Sequence, residues 1–178
     1  MVSIILIFIA TKDGIHDYVA YLKHWEIINK GLDPWIGTTN AYLPIHNIFA
    51  PFAAVNSSLP KFLFLFIFII SIYFSSTYPF NFKREMDKIA KIKIFLIFAF
   101  SPFCLIITTL FGLNDTLVAG LIVLSLCLSI SNYKKSNSLI SGILLALATM
   151  VKVYPVLIAP LFIFRKTKFD INFFTSYI

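Results

Sequence analysis

Three short stretches of the sequence place polar residues where they could take part in chemistry. They are residues 13–17, with Asp13, His16, Asp17 and the later Tyr42; then Asn114 and Asp115; then residues 152–154, with Lys152 and Tyr154. A carboxylate can take a proton from a hydroxyl as a general base. A lysine ammonium can hold a phosphate as a point charge. Around a cavity at the outer leaflet of a membrane, these groups suit the transfer of a group carried on a lipid phosphate.

Each carboxylate also has a purely structural explanation. Asp17 would lie in the first turn of a helix, where the helix dipole favours an anion. Asn114 and Asp115 suit the N-terminal cap of a helix. The three histidines, His16, His24 and His46, lack metal-ligand spacing, so we interpret them as solvated loop residues and predict no metal site from them.

Lys152 is the only charge in the apolar stretch 139–164. A lysine at membrane depth costs at least ~2.5–3.5 kcal/mol on insertion scales, so it usually faces a partner or a water-filled site. Pro155 follows closely and cannot donate a helical hydrogen bond. Both flanks of the stretch are basic, which places both on the cytoplasmic side. We therefore expect a short hairpin that turns near residues 151–155; the alternative is one tilted helix with a snorkelling Lys152.

The composition identifies the class of protein that holds these residues. Of 178 residues, 59% are hydrophobic and only 13% are charged, which indicates an integral membrane protein. The net charge of +7 does not indicate nucleic-acid binding, because ten of the fifteen basic residues fall in three short loops that the membrane topology places inside. Cys104 and Cys127 lie in apolar runs and predict neither a disulfide framework nor a metal site.

The apolar runs predict an all-α fold, a multi-pass transmembrane helical bundle in a single domain. The expected spans are residues 1–10 (partial), 62–80, 94–110, 116–131 and, as a short hairpin, 139–164. Residues 11–59 form an external loop. Because both ends of the sequence fall within apolar runs, we expect the chain to be a fragment of a larger membrane protein.

The first loop contains the clearest helical periodicity outside the spans. Apolar side chains recur at helical spacing at Ile15, Tyr18, Leu22 and Trp25. This pattern predicts an amphipathic helix along the membrane interface, with Gly31 as its stop. An interfacial aromatic belt would be formed by Tyr18, Tyr21, Trp25 and Trp35.

The order of these segments matches a known pattern of motifs. In the second half it runs through Gly112-Leu113-Asn114-Asp115, a span, a basic loop, Gly142 and Lys152-Val153-Tyr154-Pro155. In the first loop it runs through His16-Asp17-Tyr18, a helix, Gly31-Leu32-Asp33-Pro34-Trp35 and Tyr42-Leu43-Pro44. This order resembles the polyprenol-phosphate-sugar-dependent glycosyltransferases of superfamily C, above all their mannosyltransferase branches. The resemblance extends from Asp13 to Arg165 and, because members of that group are longer, implies that the chain is an N-terminal portion of such a protein.

The resemblance implies a function and a location. It implies a hexosyltransferase, and specifically a mannosyltransferase, that moves the sugar from a polyprenyl-phosphate carrier to a glycan, glycolipid or protein acceptor. The reaction would take place on the outer or lumenal face of a prokaryotic cell membrane or the endoplasmic reticulum, the face toward which the first loop points. No resident cofactor is implied besides this lipid-linked donor, and a metal requirement is left open.

The resemblance also implies roles for individual residues. Asp17 would be the catalytic base. Relatives carry an Asp-x-Asp or Glu-x-Asp motif, whereas this chain has Ile15 two residues before Asp17, which leaves Asp13 as the candidate second acid. The site for the donor and its lipid phosphate would be formed by Lys152, Tyr154, Tyr42 and Asp115.

Two other classes of protein would share some of these features. A transporter or lipid flippase would also use broken helices and a charge at the membrane midplane. It would not need an amphipathic helix with an acid at its start. A non-catalytic membrane subunit or a fragment is the second alternative.

Overall fold

The computed structural model describes residues 16–36, 44–77, 88–130, 135–165 and 168–178, and within these ranges the chain is mainly α-helical. The expected partial span at residues 1–10 lies outside them, as do Asp13 and Tyr42. The first four elements are α1 (His16–Asn29), the 3₁₀ helix η1 (Pro44–Phe49), α2 (Ala50–Val55) and α3 (Leu59–Thr77). The next four are α4 (Lys88–Ala99), α5 (Pro102–Thr109), α6 (Asp115–Ile130) and α7 (Lys135–Val151). The last are the 3₁₀ helix η2 (Tyr154–Ile158), α8 (Ala159–Ile163), the antiparallel strands β1 (Phe164–Arg165) and β2 (Lys168–Phe169), and α9 (Ile171–Tyr177).

The centre of the bundle is formed by α3, α6 and α7. Gly120 lets α6 approach α3 closely, because a Cβ at this position would lie 3.3 Å from the Cα of Phe68. Ser125 of α6 and Ser141 of α7 exchange hydrogen bonds, each hydroxyl donating to the other's carbonyl at 2.8 Å. Small and hydroxyl-bearing residues of this kind allow close packing of apolar helices and satisfy their polar atoms across the interface.

The chain reverses direction after α7. Near the start of α7, the Ser138 hydroxyl donates to the Asp170 carboxylate at 2.6 Å. Near its end, the hydroxyls of Thr149 and Tyr177 lie 3.1 Å apart. Because both pairs occur in the same chain order, α9 runs parallel to α7, and residues 152–169 must lead back to the start of α7. That this reversal lies within a membrane stays a prediction.

Two segments of the described chain are long and apolar enough to cross a membrane, Leu59–Ser76 and Ile89–Thr109. These segments overlap the expected spans 62–80 and 94–110, and the second is broken between α4 and α5 at Ser101. The bounds of the membrane spans stay a prediction. α6 and α7 are apolar but have only 16 and 17 residues, fewer than the ~20 that a straight crossing needs. The expected span 116–131 corresponds to α6, and the multi-pass arrangement stays a prediction.

The expected helix in the first loop is present as α1, but its aromatic face packs on protein. Tyr18, Tyr21 and Trp25 are at most 1% exposed, whereas Trp35 is 43% exposed. The prediction that these first three side chains form an interfacial belt is therefore wrong. Their packing partners come from η1, α3 and α6, which the local sequence pattern of α1 does not reveal.

Candidate functional site

One end of the bundle gathers the chemically interesting residues. The N-termini of α3 and α6 meet the C-termini of α5 and α7 there, and α1, η1 and α2 pack over them. We term this the polar end. The opposite end carries the start of α7 and the β1–β2 ladder, where the sequence is basic at Lys135, Arg165 and Lys168.

An ion pair lies at the polar end, between two residues that the sequence had singled out separately. The Lys152 Nζ is 2.7 Å from the Asp115 Oδ1, and the two side chains remain 27% and 38% exposed. The antiparallel packing of α6 and α7 places the first residue of α6 beside the residue that follows α7. The α6 dipole favours the negative charge and the α7 dipole the positive one. The hydroxyl of Tyr154 lies within electrostatic reach of the same carboxylate.

The turn before α6 holds this carboxylate in place. Gly112 has a φ of +70°, and a Cβ there would lie 2.4 Å from the ring of Tyr18, so only glycine fits. Asn114 is fully buried; its carbonyl accepts the first hydrogen bond of α6, and its Oδ1 accepts from the Tyr21 hydroxyl at 3.4 Å. Among the described residues, no hydrogen-bond partner of its Nδ2 is present. Two aromatic residues of α1 thus contact the turn that leads into Asp115.

A second lysine at the polar end escaped the sequence analysis. Lys61 is fully buried; its Nζ donates to the Thr109 carbonyl at 3.3 Å and lies 4.6 Å from the centre of the Tyr18 ring. The Tyr18 hydroxyl in turn donates to the carbonyl of Ser57. The position of Lys61 at the start of an apolar helix did not indicate that it is buried, because lysines at such positions usually extend to the membrane interface. A lysine directly after Pro60 and within the spanning segment was the available signal.

The histidines differ from expectation. His46 is fully buried and His24 is only 6% exposed, so the interpretation of both as solvated loop residues is wrong. The ring of His46 stacks on Trp25 at 4.8 Å, and the Trp25 indole donates to the His46 carbonyl at 2.9 Å. Burial, followed by the charges of His24 and Lys152, lowers the pKa of His46 to about 3. The His46 imidazole is therefore neutral at physiological pH.

The structure brings some of the predicted site residues together. Lys152, Asp115 and Tyr154 are neighbours, and Asp17 is exposed on the first turn of α1, next to the buried Tyr18. Within the ranges that the structure covers, no group of three or more acidic, histidine or cysteine side chains could hold a metal ion.

Comparison with known proteins gave one match. Residues 44–171 match the sequence pattern of a protein family described as glycosyltransferase family 87. This range begins at η1 and includes Asp115, Lys152 and Tyr154, whereas Asp17 precedes it. Searches among curated proteins and among solved structures found no match.

Proposed function

The chain belongs to glycosyltransferase family 87, and from this premise we propose that it acts as a multi-pass membrane glycosyltransferase. It moves a hexose, which we take to be mannose, from a polyprenyl-phosphate donor to an acceptor hydroxyl on a glycan, glycolipid or protein. The observation that carries the proposal is the half-exposed Lys152–Asp115 pair at a break between helices.

The surface of the bundle supports membrane insertion. Two segments are of spanning length, and the second of them, α4 with α5, exposes large apolar side chains, among them Ile97 at 67% and Phe103 at 72%. Large apolar side chains exposed in this number would be costly in water but suit lipid. The end of the bundle opposite the polar end, where the sequence is basic, suits the cytoplasmic side, so the polar end would face outward.

The polar end suits the binding of a lipid phosphate. Lys152 follows the last residue of α7, and its ammonium reaches the surface beside Asp115. The next helix, η2, presents apolar side chains to the outside, including Val156 and Leu157, which are 41% and 78% exposed. A charged headgroup held by Lys152 and Tyr154 would leave a polyprenyl tail free to extend along this apolar surface.

Asp17 supplies the remaining chemical role. Its carboxylate is exposed on the first turn of α1, and the buried Tyr18 and Tyr21 fix that helix on the polar end. In the proposed reaction the acceptor oxygen attacks the anomeric carbon, and Asp17 takes the hydroxyl proton. The bond between that carbon and the phosphate oxygen breaks, and its electron pair leaves with the phosphate.

The proposal is tested with Asp17→Asn and Asp33→Asn variants of the full chain in membranes. Asp33 is a matched control, because it is an exposed carboxylate of the same loop whose side chain accepts a hydrogen bond from the Trp35 amide at 2.9 Å. We expect Asp17→Asn to lower transfer of labelled mannose from a polyprenyl phosphate by about 10²–10⁴-fold, the usual contribution of a general base. Asp33→Asn should leave it unchanged. A rate within a few-fold of the parent chain in Asp17→Asn would contradict the role of Asp17.

A further inference from the structure

The partner of Lys152 imposes a condition on any anion that binds there. The Lys152 Nζ already contacts a carboxylate at 2.7 Å, and neither residue is sealed from the surface. A phosphate can therefore reach the ammonium, but it must lie beside Asp115 or displace it. Asp115 also has a fixed place, because it is the first residue of α6 and follows the buried Asn114.

The proposed transfer changes the charge of the phosphate. In the donor, the phosphorus is esterified to both the sugar and the lipid, so the phosphodiester carries one negative charge. When the sugar leaves for the acceptor, the electron pair of the broken bond stays on the phosphate oxygen. The product is a phosphomonoester with two negative charges at a pH above its second pKa of about 6.

We propose that Asp115 is a specificity-determining residue, which weakens the preference that Lys152 would otherwise have for the doubly charged phosphomonoester of the product over the singly charged phosphodiester of the donor. This inference rests on the proposed function. A lone lysine would attract the product more strongly than the donor, since Coulomb attraction grows with charge. The carboxylate opposes that attraction and repels a doubly charged phosphate about twice as strongly as a singly charged one, so the spent carrier leaves the site more readily than it would from a lone lysine.

Three other described residues lie at the polar end, namely His46, Tyr154 and Lys61, and none of them presents a negative charge to Lys152. The imidazole of His46, which feels the charge of Lys152, is buried and neutral. Tyr154 brings a hydroxyl, and Lys61 directs its ammonium to the Thr109 carbonyl and the Tyr18 ring, at the junction of α3 and α5. Among these groups, Asp115 is the one that sets the charge presented beside Lys152.

The test uses two probes that differ by one charge and share one tail, farnesyl phosphate and its methyl ester. Their dissociation constants are measured for the full chain in lipid nanodiscs, at a pH at which the monoester carries two charges. The variants are Asp115→Asn, Lys152→Gln and the control Glu26→Gln. Glu26 is an exposed carboxylate that pairs with Lys30 at 2.6 Å. Asp115→Ser is a second neutral replacement that also suits a helix N-terminus.

Asp115→Asn and Asp115→Ser should both bind the monoester more tightly. The ratio of diester to monoester affinity should fall about tenfold, the effect of removing one repulsion of about 1.4 kcal/mol at ~6 Å in a half-solvated site. Glu26→Gln should leave the ratio as in the parent chain. An unchanged ratio in both Asp115 variants, while Lys152→Gln loses affinity for both probes, would overturn the role of Asp115 alone. Unchanged binding in Lys152→Gln would instead overturn the phosphate site of the proposed function, and this inference with it.

Discussion

Lys61 and Lys152 both lie at the polar end, yet the fold gives them different surroundings. Lys61 has no exposed surface, and its described contacts are a backbone carbonyl and an aromatic face. Lys152 keeps 27% of its side chain exposed and faces a carboxylate that is itself 38% exposed. The first lysine joins α3, α5 and α1. The second presents a charge that a ligand can reach.

A buried charge and an accessible charge should therefore respond differently to mutation. Around Lys61, Tyr18 and Gly112 form a closely packed group, which we term the buried corner. Close packing makes such a region sensitive to small changes of shape. The Lys152–Asp115 pair is half solvated, so changes there should affect ligand binding more than folding. Three measurements of stability test whether the buried corner and the Lys152–Asp115 pair differ in this way.

The largest effect should come from Gly112→Ala in the buried corner. Positive φ costs roughly 1–2 kcal/mol for a residue with a Cβ. The added methyl, 2.4 Å from the Tyr18 ring, adds about 1–3 kcal/mol of overpacking. We expect a loss of about 2–5 kcal/mol, measured by thermal unfolding in detergent. Gly31→Ala is the matched control, because Gly31 has a φ of +72° but an added Cβ would meet nothing within 4 Å, so it should cost only the roughly 1–2 kcal/mol of the positive φ. Equal losses in the two variants would argue against close packing at Gly112.

The next effect should be a pH dependence from His46, which lies beside the buried corner. Its folded-state pKa of about 3 is below the unfolded value of about 6.5, so the unfolded chain binds more protons between these two values. Above about pH 6.5, His46 is neutral in both states and does not reduce the free energy of unfolding. As the pH falls below this value, protonation of His46 in the unfolded chain lowers the free energy of unfolding by up to about 1.4 kcal/mol per pH unit. His46→Phe keeps an aromatic ring and should flatten the unfolding temperature between pH 7 and pH 5. The same slope in both proteins would show that another group titrates.

The smallest effect on stability should come from Lys152→Gln. Both partners of the pair are partly exposed, so solvent screens their attraction, and we expect a loss of about 0.2–1 kcal/mol. Glu26→Gln breaks a more exposed pair and gives a reference value for the same measurement. A loss of several kcal/mol in Lys152→Gln would place this lysine with Lys61 as a structural residue and would weaken the contrast between the two.

The local features of the fold could be predicted from sequence because their causes are local. The periodicity of the first loop predicted the helix that appears as α1, and Gly31, at φ +72°, follows its end. The proline of the Lys152-Val153-Tyr154-Pro155 motif predicted an interruption, and α7 ends directly before that motif. The family match to a glycosyltransferase agrees with the coarse function that the resemblance implied, whereas mannose and the lipid-linked donor stay proposals.

The contacts of the site could not be predicted because their partners are distant in sequence. The pair of Lys152 and Asp115 joins positions 37 residues apart, and the contact of Tyr21 with Asn114 joins positions 93 apart. The aromatic face of α1 suggested an interface with lipid, since a helical pattern shows that a face is buried but not what covers it. For the same reason, the sequence indicated neither the burial of His46, which we interpreted as solvated, nor that of Lys61.

The sequence alone was enough to show that the chain is apolar and largely helical and which residue types are available for chemistry, and Pro155 favoured a helix break near residues 151–155. The effects of composition, hydrophobic periodicity and proline are local and act within one or two helical turns. A short stretch of sequence is therefore enough to predict them. Only the tertiary structure decided that Asp115 neutralises Lys152 while Lys61 is enclosed by carbonyl and ring. Charge, burial and access depend on which helix ends meet, and helices meet through packing between residues that the sequence keeps far apart.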